Sequence, residues 1–167
     1  MYRKAIAINK KLKGLKWHNL FLTLLLIDTL YQIVSAIIIN VFFPETFSHM
    51  QALTEGYDFF VQFFLLVLIA PFLETALFQM LVIEGFIRLK IRPIVAVIVS
   101  AVLFSLAHSY NAVYMLAVFP AGLIFGYYYY ILRTQDKAIA FLSVAALHAA
   151  VNFLTYINNY FLVPWLG

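Results

Sequence analysis

The chain has 167 residues, of which 65% are apolar and only 11% charged, whereas a soluble domain is about half apolar and a quarter charged. With a mean hydropathy of +0.96 and its apolar residues gathered into long uncharged runs, it reads as a polytopic membrane protein of one domain. The absence of cysteine excludes disulfides, thiolate metal sites and cysteine nucleophiles, and a basic excess of +4 lying almost wholly at the N-terminus argues against nucleic acid as a partner.

Residues 1–18 form a basic segment on the cytoplasmic side. Arg3, Lys4, Lys10, Lys11, Lys13 and Lys16 are interleaved with Ala5, Ile8, Leu12 and Leu15 at helical spacing. That pattern suits an amphipathic helix lying on anionic membrane lipids; a basic tail that only sets topology is the plainer alternative. The apolar run that follows is too long for a signal-peptide core and shows no small-residue cleavage site.

Residues 19–167 are expected to form a single all-α transmembrane bundle. A membrane-crossing helix needs roughly 20 residues, and five spans meet or approach that length, at about 19–43, 58–89, 92–108, 112–132 and 137–163. The second is long and carries Pro71 near its middle, which predicts a kink or a division into two pieces. The third is short and is expected to tilt or to be shielded by its neighbours.

Loop charge gives an orientation. The loop after the first span holds Glu45, Glu55 and Asp58, while Arg88, Lys90 and Arg92 follow the second. A neutral turn at 109–111 comes next, then Arg133 and Lys137, and the C-terminal tail is uncharged. The positive-inside rule therefore predicts a multi-pass cell-membrane protein with its N-terminus in the cytoplasm and its C-terminus outside. The Tyr127–Tyr130 run before Arg133 reads as an interfacial aromatic belt at the cytoplasmic face.

Glu74, His108 and His148 lie within apolar spans, where ionisable groups are costly and mark functional sites by default. At 1.5 Å per residue from the cytoplasmic span ends, Glu74 lies ~21 Å up, His108 ~24 Å, His148 ~16 Å and Asn152 ~22 Å. Four polar groups on three helices thus share one slab of the membrane. His148 and Asn152 are four apart and face one way, as are Phe104 and His108.

Other polar and small residues have simpler explanations. Glu84 and Arg88, also four apart, read as a surface pair. Asp28, near Thr29 and Gln32, reads as a protonated acid hydrogen-bonded between helices. The Gly122/Gly126 and Ala145/Ala149 pairs read as close helix packing, and His18 and His49 as solvated.

The segments APFLETALFQ (70–79), FSLAH (104–108) and HAAVN (148–152) resemble the CPBP family. These are the CAAX-protease and bacteriocin-processing membrane proteins, also called Abi, whose pattern is Glu-Glu-x-x-x-Arg, Phe-x-x-x-His and His-x-x-x-Asn on successive helices. The resemblance implies an intramembrane endopeptidase with a conical polar cavity. On that basis Glu74 is the general base that activates water, His108 orients the water, and His148 and Asn152 donate to the oxyanion. Phe104, Thr75 and Gln79 are the supporting positions. Its substrate would be a peptide or lipoprotein, matured by cleavage.

Cofactor use stays open at this point. Glu74, His108 and His148 would make a three-ligand zinc set, yet no His-Glu-x-x-His motif is present, so a metal-independent glutamate mechanism is the alternative. The chain also departs from the pattern, with Thr75 where the family has its second Glu and Gln79 where it has Arg. Losing both members of a charge pair strands neither, so the exchange fits either a neutral substitute or a member that no longer cuts peptides. Two other functions therefore remain, a bacteriocin self-immunity or binding protein and a non-proteolytic membrane enzyme such as a lipoprotein or lipid acyl transferase.

Overall fold

A computed structural model describes residues 17–46 and 56–158. The basic N-terminal segment, His49, Glu55 and the last residues of the fifth expected span lie outside the described residues. Among the described residues the regular structure is helical throughout. The protein is an all-α membrane bundle.

Helix α1 spans Trp17–Phe42, α2 Phe59–Arg88, α3 Pro93–Ala107, α4 Ala112–Leu132 and α5 Lys137–Ile157. Four of these are long and apolar enough to cross a membrane, and α3 is the exception. Its 15 residues span about 22 Å at 1.5 Å per residue, short of the ~30 Å hydrocarbon core. Leu22, Leu26, Leu30, Ile33, Ile37 and Val41 are exposed along α1, while Leu20, Leu24, Asp28 and Ile39 are buried on its other side. Such a continuous apolar outer stripe is what a lipid-facing helix presents.

Local chemistry sets the helix ends. Asp58, Asn111 and Asp136 cap α2, α4 and α5, their side chains accepting from Phe60 N, from Val113 and Tyr114 N, and from Ile139 N. Pro93 occupies the first turn of α3, where a missing N–H costs nothing. The α2 end is a Schellman turn: Ile91 N donates to Phe86 O and Lys90 N to Ile87 O. That turn places Lys90 at φ 60°, a conformation that favours glycine.

Pro71 does not divide α2. The helix remains continuous, with π-helical segments at Phe64–Ile69 and Thr75–Leu81 on either side of an α turn at Ala70–Glu74. Wider π turns absorb an interrupted hydrogen-bond ladder, and they recur at functional sites.

The core lies between α2, α3, α4 and α5, around Ile83, Val97, Phe104, Phe125, Tyr128, Val144 and Leu147. Helix α3 packs closely on α4. A Cβ at Gly122 would stand 3.0 Å from Phe104 Cδ1 and 3.1 Å from Ala101 Cα, so the Gly122/Gly126 pair serves close packing as its spacing suggests. Side-chain bonds to backbone carbonyls then tie the helices together. Tyr31 Oη donates to Ala117 O at 2.7 Å, Ser105 Oγ to Met115 O at 2.6 Å and Tyr156 Oη to Phe59 O at 2.7 Å.

Three expectations need correction. Glu84 does not form a surface pair with Arg88 but is buried. It binds Arg133 through both Nε and Nη2, the latter at 2.9 Å, accepts from Tyr129 Oη at 3.3 Å and pairs with Lys137 Nζ at 2.7 Å. Helical proximity favoured Arg88, but the α4–α5 turn brings two cations that desolvate the acid and match its charge. Tyr128 and Tyr129 are fully buried, so only the half-buried Tyr127 and Tyr130 suit an interfacial belt. Asp28, finally, bonds within its own helix, accepting from Gln32 Nε2 at 3.4 Å, and Gln32 Oε1 makes the interhelical link by accepting from Thr155 Oγ1 at 3.0 Å.

Candidate active site

Glu74 ends the α turn between the two π segments of α2. His108 is the C-cap of α3, and His148 lies within α5. Residues 34 and more apart in sequence therefore converge. One carboxylate oxygen, Glu74 Oε2, lies 3.8 Å from His108 Nε2 and 3.7 Å from His148 Nε2. Both separations exceed a direct hydrogen bond and suit groups that share a small polar molecule between them. The Glu74 side chain is 24% exposed against 11% and 5% for the two histidines, so the carboxylate marks the open side of the site.

The His108 ring is oriented by the end of its own helix. A helix leaves its last carbonyls unmatched, and His108 Nδ1 lies 2.8 Å from the Phe104 carbonyl. A carbonyl only accepts, so the neutral ring carries its proton on Nδ1 and presents a lone pair at Nε2 towards Glu74. Nothing comparable holds His148, whose Nδ1 is buried with no hydrogen-bond partner among the described residues. Packing holds it instead: the ring stacks on Phe125 with centroids 4.6 Å apart and meets Phe104 edge-on at 5.5 Å. Phe104 also lies 4.8 Å from the His108 ring, so a single phenyl ring separates and aligns both imidazoles.

Asn152 takes a different place from its companions. Its Nδ2 donates to the Leu66 carbonyl of α2 at 2.9 Å. Thr75 and Gln79 are fully buried in the second π segment, and Thr75 Oγ1 and both Gln79 amide atoms have no hydrogen-bond partner among the described residues. The two side chains do not pair with each other.

Two tyrosines were not anticipated. Tyr110 and Tyr114 stack on each other with centroids 5.8 Å apart and lie 6.0 and 5.9 Å from the His108 ring. Burial pushes the Tyr110 phenol above its ordinary pKa and the nearby Glu74 carboxylate adds to the shift, so the turn contributes a neutral donor beside the acid. Phe125 was also missed. Its position between Gly122 and Gly126 was the available signal, since a close helix approach drives the intervening large side chain into the core.

The residues fit a metal site poorly. A metal-bound histidine normally donates its other ring N–H, and His148 Nδ1 has no acceptor. Among the described residues no cluster of three His, Cys, Asp or Glu side chains is arranged to hold a metal ion.

A sequence model of the Rce1-like type II CAAX prenyl endopeptidases matches residues 56–154, more than half of the chain. The chain belongs to this family. No curated protein and no solved structure matches it. The Rce1-like match begins before α2, covers α3 and α4 and ends within α5, so Glu74, His108, His148 and Asn152 all fall inside it. Helix α1 lies outside. The match supports, at the level of the family, a CAAX-type intramembrane endopeptidase, in agreement with the resemblance drawn from the three motifs, and the family implies a peptide substrate and a membrane setting.

Proposed function

We propose that this protein hydrolyses a peptide bond at membrane depth by a metal-independent glutamate mechanism. Glu74 takes a proton from a water molecule, and the resulting hydroxide attacks the substrate carbonyl. The Nε2 lone pair of His108 accepts a hydrogen bond from that water and aims it. His148 in its Nε2–H form and the second amide proton of Asn152 donate to the oxyanion, where fixed donors in a dry site act strongly. Glu74 then returns the proton to the departing amine, so each turnover leaves the enzyme unchanged.

The observation that carries this reading is the near-equal approach of one Glu74 oxygen to two imidazole nitrogens, 3.8 and 3.7 Å away. That constellation needs three helices to agree in depth and rotation. Its substrate is a membrane-associated peptide or lipoprotein, cleaved in maturation, and residues 19–167 act as one transmembrane domain. A second reading, a binding or immunity protein that has stopped cutting, draws on Thr75 and Gln79, which stand where the motif has a charge pair.

The test is hydrolysis in native membranes by Glu74→Gln beside His148→Ala. Both variants are expected to insert normally and lose activity. Full function in both, at normal expression, rejects the catalytic reading in favour of binding.

A further inference from the structure

Proline has no N–H, and α2 carries Pro71 in its interior. In the π segment before it the bonds run to the fifth preceding residue, with Ala70 N donating to Leu65 O. The next bond of that ladder would join the N–H of residue 71 to the Leu66 carbonyl, and Pro71 cannot make it. Within a bilayer an unmatched carbonyl has no water to turn to, so a partner must come from another helix. Asn152 Nδ2, on α5, meets that carbonyl at 2.9 Å.

The two ends of this bond flank the site. Pro71 lies three residues before Glu74, and Asn152 lies four residues after His148 on the same face of α5. We infer that Asn152 is a positioning residue: its amide satisfies the carbonyl that Pro71 leaves unmatched, and the resulting α2–α5 clasp holds His148 against Glu74. The proline is therefore the source of the hydrogen-bonding valence that draws the two helices into register. This inference rests on the Glu74–His148 site proposed above, although the clasp can be tested without any turnover. It also gives the two protons of one amide separate tasks, one structural and one at the oxyanion.

A double-mutant cycle on the full chain reads the device. Pro71→Ala restores an N–H that can reach Leu66 O within α2, and Asn152→Ala removes the amide. Melting midpoints would be measured in lipid–detergent micelles for the wild type, each single variant and the double variant. Asn152→Ala is expected to lower the midpoint by on the order of 5 °C. In the Pro71→Ala background most of that loss should disappear, because the carbonyl no longer needs a partner from α5. If Asn152→Ala fails to accumulate, the expected result is recovery of folded protein in the double variant. Equal losses in both backgrounds, or no recovery, would overturn the inference.

Spacing is read separately. The chain has no cysteine, so spin labels at Leu73→Cys and Leu142→Cys, both exposed outward positions, report the distance between α2 and α5. Their distance distribution should broaden in Asn152→Ala and stay broad in the double variant, even though its stability has recovered. A distribution unchanged in every variant would show that the amide positions nothing. If the spacing and stability results hold while no variant and no wild type hydrolyses peptides, the catalytic reading fails and the clasp stands.

Discussion

His108 and Phe104 are joined twice, by ring contact at 4.8 Å and by the Nδ1–carbonyl hydrogen bond at 2.8 Å. The bond is a helix cap, and its consequence is chemical. It commits the imidazole proton to the side away from Glu74, so a neutral His108 faces the carboxylate as an acceptor. In nitrogen-labelled protein, the His108 NMR signals should show the Nδ1–H tautomer. An Nε2–H ring would contradict the assigned role. Replacing His108 with alanine is expected to reduce hydrolysis by about 10²–10⁴-fold.

Gly122 and Gly126 should differ in their tolerance of a methyl group. At Gly122 the new atom would meet the Phe104 ring at 3.0 Å and the Ala101 backbone at 3.1 Å, whereas at Gly126 its nearest neighbours are side-chain atoms at 3.4 Å. Gly122→Ala should therefore cost about 1–3 kcal/mol of stability and lower hydrolysis by displacing Phe104 between the imidazoles. Gly126→Ala should cost clearly less on both counts. Thermal unfolding in detergent, read beside peptide hydrolysis, separates the two variants.

The buried Glu84 cluster makes a graded prediction. Glu84→Ala leaves Arg133 without its bidentate partner in a largely buried setting and should destabilise by about 3–5 kcal/mol. Lys137 is 54% exposed on its side chain, and its removal should cost about 1 kcal/mol or less. Chemical denaturation of the two variants reads the contrast, and equal losses would mean that the cluster does not act as a buried pair.

Thr75 and Gln79 offer a test of the departed charge pair. Thr75→Glu alone introduces an unpaired buried acid and should destabilise by about 3 kcal/mol or more. Adding Gln79→Arg should recover most of that loss, since the two positions are one turn apart in α2. Strictly additive losses would mean that the positions do not face each other.

Topology reporters should place Glu45 and Asn111 outside the cell and Lys90 inside. The charged loops alone lead to this expectation. A cytoplasmic Asn111 would put the His108 end of α3 on the wrong side of the membrane for the shared depth of the site.

Much of the bundle was legible before any coordinates. The expected spans at 58–89, 92–108 and 112–132 differ from α2, α3 and α4 by a residue or less at each end, because long apolar runs bounded by Asp58, Pro93, Asn111 and Asp136 leave little freedom. Glu74, His108 and His148 were legible for a related reason, since ionisable groups in apolar surroundings stand out. The partner of a polar side chain was not legible in the same way. Glu84 had Arg88 four residues away, yet its bonds go to Arg133 and Lys137. Asn152 shared a depth with Glu74, yet its recorded bond is to Leu66 O.

By itself, then, the sequence determined which segments enter the membrane and which costly groups enter with them, because hydropathy adds up along contiguous residues. Only the tertiary structure decided that one oxygen of Glu74 faces two imidazoles and that α5 answers the carbonyl left by Pro71. The physical reason is that such contacts depend on how helices are rotated and shifted against one another. Packing at Gly122 and Phe104, together with hydrogen bonds between distant segments, sets those few ångströms.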